Sequence, residues 1–144
     1  MGQSRGRGLF VTAGVLAFLI LGIDRGMAGP NEDAFAAAGY TLCDARLLQL
    51  AHGDRLIKRV IRNAGEAVRT GHKDGIDRDI ARGREINAGD WSRCPAEEVF
   101  TPDEIRIFAA RAKMESVSAA EERISRILLD GGASAVRGTI EAAR

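Results

Sequence analysis

Aromatic residues are scarce in this chain, and their scarcity limits the kinds of core that it can build. Phe, Trp and Tyr make up 5% of its 144 residues, and after residue 28 the phenylalanines are Phe35, Phe100 and Phe108. The core must therefore consist mainly of Ala, Leu, Ile and Val, which favours closely packed helices over a β-sandwich. With 45% hydrophobic and 28% charged residues, a chain of this length is expected to form one compact domain.

Several catalytic and cofactor-binding motifs are also lacking. The sequence contains no phosphate-binding glycine loop, no H-E-x-x-H and no C-x-x-C-H haem site. The acidic cluster Asp74, Asp77 and Asp79 lacks the spacing of an EF-hand loop, so it is interpreted as solvated loop charge. We therefore lean away from an enzyme and predict neither a cofactor nor a metal site.

Only two cysteines are present, Cys43 and Cys94. In an oxidising compartment they predict one disulfide, and a loop of about 50 residues closed in this way stabilises a fold by roughly 4 kcal/mol. The alternatives are a zinc site completed by His52 and His72, and a catalytic Cys43 with His52 as its base. Structural zinc ligands usually come in closely spaced pairs, which these residues do not form.

The longest apolar run, residues 9–23, is too short for a membrane span. As a helix its 15 residues would cover roughly 22 Å, against a hydrocarbon core of about 30 Å. Arg5 and Arg7 precede the run and Gly26-Met27-Ala28 follows it, which is typical of a signal peptide cleaved before Gly29. Residues 1–28 are thus predicted to be a signal peptide, and the protein to be periplasmic or secreted. The alternative is an uncleaved anchor through residues 9–23 that carries an exported helical domain.

Charge is nearly balanced in the predicted mature chain. Removing residues 1–28 takes three Arg and one Asp from the 21 basic and 20 acidic residues, leaving 18 and 19 and a formal charge of −1. Such a chain has no general attraction for nucleic acid, so that partner is disfavoured. The distribution is uneven, since residues 46–93 hold 11 basic and 7 acidic residues.

Capping boxes mark the starts of two helices, at Thr41 with Asp44 and at Thr101 with Glu104. Gly53 is a predicted helix stop, and a second helix should follow it as far as Gly71. One face of that helix is apolar, with Ile57, Val60, Ile61, Ala64 and Val68.

A basic stripe follows the other side of this second helix. It consists of Arg55, Arg59, Arg62 and Arg69, which recur at helical spacing. A stripe of this kind is usually a solvated face. The alternative is a contact surface for something anionic, such as lipid headgroups, polysaccharide or an acidic protein.

The remaining boundaries follow from composition. Residues 29–39 are predicted to be a flexible segment and residues 40–144 the helical domain. The polar, glycine-rich stretch from Gly71 to Cys94 is predicted to be a long connection that holds at most a short helix.

The two halves of the domain align at an offset of 60 residues. Tyr40-Thr41 falls on Phe100-Thr101 and Gly71 on Gly131. The predicted fold is therefore all-α, a small bundle of four to six short helices. It would consist of two pseudo-repeated helical hairpins linked by the Cys43–Cys94 disulfide.

Two functions from different classes are compatible with these features. The first is an exported binding or structural module of the cell envelope, whose partner is an envelope or extracellular protein or an anionic surface. The second is an intracellular helix-turn-helix protein that binds nucleic acid, because a short turn at His52-Gly53-Asp54 joins two helices. The export signal and the mature charge favour the first.

Overall fold

The structure is a computed structural model that describes residues 29–142, and within that range it contains seven α-helices and no β-strand. The helices are α1 (Pro30–Ala37), α2 (Leu42–His52), α3 (Ile57–Arg69), α4 (Lys73–Asn87), α5 (Pro102–Arg111), α6 (Val117–Leu129) and α7 (Ala133–Glu141). Two 3₁₀ turns, Trp91–Arg93 and Ala96–Glu98, connect α4 to α5. The all-α bundle is thus confirmed, with one helix more than predicted. The predicted signal peptide lies outside the described residues.

The predicted helix starts and the first helix stop are confirmed. Thr41 and Asp44 form a complete capping box at α2, and Thr101 and Glu104 form the same arrangement at α5. Gly53 ends α2 in the left-handed conformation, with a φ of 67°. These signals depend on a few neighbouring residues, which explains why they could be recognised from sequence.

Residues 29–39 are not the flexible segment that composition predicted. They contain α1, which packs on α3 and buries Phe35 completely. At the crossing point, a Cβ atom added to Gly65 would lie 1.7 Å from the backbone oxygen of Asn31. The bare glycine therefore lets the two helices touch. A helix this short owes its stability to such packing, which has no local sequence signal.

The stretch from Gly71 to Cys94 is likewise not the long connection that was predicted. Most of it is α4, which at 15 residues is the longest helix described. Its glycines suggested a loop, but Gly83 is a packing residue. A Cβ atom there would lie 2.1 Å from the backbone oxygen of Leu47, so the glycine allows α4 to lie against α2.

The helix boundaries support the predicted pseudo-repeat. The first residues of α3 and α6 are 60 positions apart, and so are their last residues. The same offset of 60 relates the first residues of α2 and α5, and those of α4 and α7. Gly71 and Gly131 both adopt a positive φ, 84° and 80°, after the middle helix of each half. Each half therefore contains three corresponding helices rather than a two-helix hairpin, and α1 has no α-helical counterpart before α5.

One hydrophobic core joins the two halves. In the first half α1 packs on α3 and α2 on α4, and in the second α5 packs on α6 and α7. The largest fully buried hydrophobic residues come from both halves: Phe35, Leu47, Leu48, Ile61, Ile105, Ile124, Leu128 and Val136. Between residues 29 and 142, no helix is long and apolar enough to cross a membrane.

Candidate functional site

The two cysteines lie at the junction of the halves. Cys43 is in the first turn of α2, and Cys94 follows the first 3₁₀ turn. Their Sγ atoms are 2.05 Å apart and their Cα atoms 4.8 Å apart, which places them at disulfide distance. Both residues are 1% exposed. The pair is therefore a buried link between the halves, and it presents no thiol to a substrate.

The four arginines of the basic stripe do not share one environment. Two of them contact α1: Arg69 donates a 2.7 Å hydrogen bond to the side-chain oxygen of Asn31, and Nε of Arg62 lies 3.8 Å from a Glu32 oxygen. Arg69 therefore helps to hold α1 against α3. Arg62 is still largely exposed, so its weak ion pair leaves it accessible.

Arg59 has a structural partner at the start of α3. Its Nε and Nη2 atoms each donate a 2.8 Å hydrogen bond to a different oxygen of Asp54. Asp54 also accepts a 2.9 Å hydrogen bond from the backbone N–H of Leu56. These bonds, that of Arg59 foremost, lower the pKa of Asp54 to about 2. The carboxylate is thus ionised across the physiological range, and it holds the turn that presents Leu56.

Leu56 is the most exposed large hydrophobic residue described, at 57%. It lies in extended conformation just before the first turn of α3. The side chains around it form a shallow depression of about 550 Å³, lined by Arg55, Leu56, Ile57, Lys58, Arg59 and Arg62. We call these six residues the Leu56 surface. The side chains of Arg55 and Lys58 form no hydrogen bond or ion pair with any residue between 29 and 142.

Sequence analysis identified three members of this surface, Arg55, Arg59 and Arg62, but missed Leu56 and Lys58. Leu56 falls outside the apolar face of α3 and directly before the helix, where periodicity has no meaning. The available signal was the apolar pair Leu56-Ile57 between the two cationic residues Arg55 and Lys58. The fourth predicted arginine, Arg69, lies near the other end of α3 and is not part of the surface.

A second depression, of about 350 Å³, lies between α2, α3 and α4. On its rim, Nε2 of His52 lies 3.0 Å from Oδ2 of Asp79, an arrangement in which a carboxylate can orient an imidazole. None of the described residues that line the depression is a Ser, Thr or Cys that this pair could activate as a nucleophile. The apolar walls, such as Leu48 and Val60, are at most 8% exposed and offer a ligand little surface.

The acidic cluster of the sequence lies on α4 rather than in a loop. Asp77 accepts a 2.5 Å hydrogen bond from the Tyr40 hydroxyl and a 3.0 Å bond from Lys73. Burial, followed by the bond to Asp77, raises the pKa of Tyr40 to about 12. The protonated phenol therefore acts as a donor that ties α4 to the segment before α2.

The side chains described do not form a metal site. Among residues 29–142, no three His, Cys, Asp or Glu residues are placed to bind an ion. The histidines of the alternative zinc set have other neighbours, since His52 contacts Asp79 and Nδ1 of His72 lies 3.0 Å from the Thr70 hydroxyl. The geometry thus favours the cysteine pair over a four-ligand zinc site.

Comparison with protein family models, with curated proteins and with solved structures finds no match to this chain. Its function must therefore be argued from its own surface, and the Leu56 surface is the site best suited to recognition.

Proposed function

We propose that this chain is an exported helical binding module of the cell envelope, which contacts an anionic partner through the Leu56 surface. The observation that supports the proposal is the exposure of Leu56 among four cationic side chains, Arg55, Lys58, Arg59 and Arg62. Exposed apolar patches with a polar rim are typical of interaction sites, and Leu56 with Ile57 forms the apolar part of this surface. The cysteine pair at disulfide distance agrees with an oxidising compartment.

The pseudo-repeat provides an internal comparison for this surface. At an offset of 60 residues, the positions of Arg55, Leu56, Lys58, Arg59 and Arg62 correspond to Glu115, Ser116, Ser118, Ala119 and Glu122. α6 begins and ends at the positions equivalent to those of α3 although it lacks every one of these cations. The fold therefore does not need a basic surface at this place, which favours a role in recognition.

The helix-turn-helix alternative fits the geometry less well. A recognition helix must enter the major groove of DNA, and α3 would have that role here. α1 lies along α3, with Asn31 against Gly65 and bonded to Arg69. One side of α3 is thus covered, and Arg69, which could otherwise contact phosphate, is already bonded to α1.

The proposal can be tested by salt-dependent retention on a cation-exchange resin, which is a simple anionic surface. Replacing Arg55 and Lys58 with glutamine removes the two cations of the surface that have no partner among the described residues. We expect this double variant to elute at a clearly lower salt concentration than the wild-type chain, since the contact is electrostatic.

The matched control is the R78Q/R82Q variant. Arg78 and Arg82 are exposed on α4, and the control loses the same formal charge. Unchanged helicity in both variants would show that each is folded. Equal shifts in elution for the two variants would mean that only net charge matters, and would contradict a dedicated contact surface.

A further inference from the structure

We propose, building on the function proposed above, that the anionic partner is the surface of a phospholipid bilayer and that Leu56 enters its headgroup layer. The Leu56 surface combines an apolar residue with cations, and peripheral membrane sites bind through the same two contributions. Leu56 is 57% exposed and therefore available for burial. This leucine lies beside Arg55, Lys58 and Arg59, and the combination favours a lipid surface as the partner.

The freedom of the cations favours a bilayer over a folded acidic protein. Specific protein interfaces usually hold arginines in fixed, bidentate geometry. In the Leu56 surface only Arg59 is held in this way, by Asp54. The side chains of Arg55 and Lys58 form no hydrogen bond or ion pair with a residue between 29 and 142, so these long side chains can adjust to mobile headgroups.

The balance of charge also sets the strength of binding. Asp54 compensates Arg59, and Glu32 lies 3.8 Å from Arg62, which leaves Arg55 and Lys58 as the uncompensated cations. Each cation near an anionic bilayer raises the partition coefficient of a protein onto that bilayer about fivefold. Two such cations and one leucine would give weak, reversible binding, which salt should weaken further.

The second half of the chain again offers a control. Val117, which corresponds to Ile57, is 44% exposed at the start of α6. It lies close to Glu115, and no cation directly adjoins it in sequence. An exposed apolar residue without cationic neighbours should not bind an anionic bilayer. A V117S variant is therefore a control for L56S, because it removes an exposed apolar side chain at the start of the corresponding helix.

The experiment measures sedimentation with two kinds of vesicle, one of phosphatidylcholine alone and one that also contains phosphatidylglycerol, whose charge gives the vesicle a negative surface potential. The protein is expressed with its own start and purified as the cell processes it, so that residues 1–28 contribute equally in every variant. The measured quantity is the ratio of the two partition coefficients.

We expect the wild-type ratio to exceed one clearly. In the R55Q/K58Q variant this ratio should be about 25-fold lower than in the wild-type chain. If the wild-type ratio is below about 25, the ratio of the variant should fall to one. In the L56S variant the partition onto anionic vesicles should fall about tenfold, because the buried leucine is lost. V117S and R78Q/R82Q should resemble the wild-type chain more closely than their matched variants do.

Two results would overturn the inference. A wild-type ratio of one, together with a normal R55Q/K58Q shift on the resin, would mean that the Leu56 surface binds an anionic partner other than lipid, and the proposed function would stand. Unchanged binding by L56S would exclude insertion of the leucine. The proposed function itself would be contradicted on the resin, if R55Q/K58Q eluted like the wild-type chain or shifted no more than R78Q/R82Q.

Discussion

At the scale of single residues, Asp44 is the clearest case of a charge placed for structure. It is 6% exposed, its carboxylate accepts a 2.7 Å hydrogen bond from the Thr41 N–H, and Nη2 of Arg84 lies 4.0 Å away. Burial raises the pKa of Asp44 above its usual 3.8, and the Thr41 bonds and Arg84 only partly oppose this effect. The residue thus serves the capping box at an electrostatic cost.

This cost predicts a pH dependence. Because the pKa is raised on folding, the stabilising contribution of Asp44 is complete below pH 3.8 and is lost as the pH rises through the raised pKa. Asparagine keeps an acceptor for Thr41 but does not titrate. We therefore expect the free energy of unfolding of the wild-type chain, relative to that of D44N, to decline as the pH rises above 3.8. Urea unfolding at several pH values would measure this difference. An increase of the wild-type stability relative to D44N with rising pH would contradict a raised pKa for Asp44.

At the scale of helices, sequence reasoning succeeded where the signal was local. The capping boxes at α2 and α5, the left-handed Gly53 and the offset of 60 residues were all readable, because each depends on a few residues at fixed spacing. Most of α4 was missed because its glycines, Gly83 among them, were interpreted as loop residues. α1 was missed because its packing against Gly65 of α3 has no local sequence signal. The roles of Gly65 and Gly83 become visible only when the backbone of another helix lies against them.

A pair of glycine substitutions would test this explanation. Alanine at Gly83 would collide with the backbone of Leu47, so we expect G83A to lower the free energy of unfolding by about 1–3 kcal/mol. Gly138 lies inside α7 with nothing within 4 Å of an added Cβ, so G138A should raise it by about 0.5–1 kcal/mol. Chemical unfolding followed by circular dichroism measures both. Stabilisation by G83A would show that α4 does not lie against α2 as described.

The candidate site was also only partly predictable. The helical spacing of the arginines could be recognised in the sequence, but the different partners of these arginines could not. Arg62 and Arg69 contact residues of α1, and such tertiary contacts have no local sequence signal. Leu56 could not be recognised as exposed without the Asp54 turn that positions it. For both the fold and the site, the features that were not predicted are therefore contacts between segments that are distant in sequence.

At the scale of the whole molecule, the two halves are joined in more than one way. Cys43 and Cys94 lie at disulfide distance at the junction, and Arg84 of α4 donates a 2.7 Å hydrogen bond to the backbone oxygen of Leu129 on α6. The hydrophobic core is continuous across the same junction. The cysteine link should therefore strengthen an association that already exists, rather than create it.

Export and the cysteine link can both be measured from the mass of the protein. The protein isolated outside the cytoplasm should have a mass that begins at Gly29 and should gain two hydrogens on reduction. Because the link closes a loop of about 50 residues, the C43S/C94S variant should keep its helical content but lose about 4 kcal/mol of unfolding free energy. Mass spectrometry before and after reduction, followed by urea unfolding, measures both. A full-length cytoplasmic protein with two free thiols would contradict export and linkage together, and it would favour the helix-turn-helix alternative.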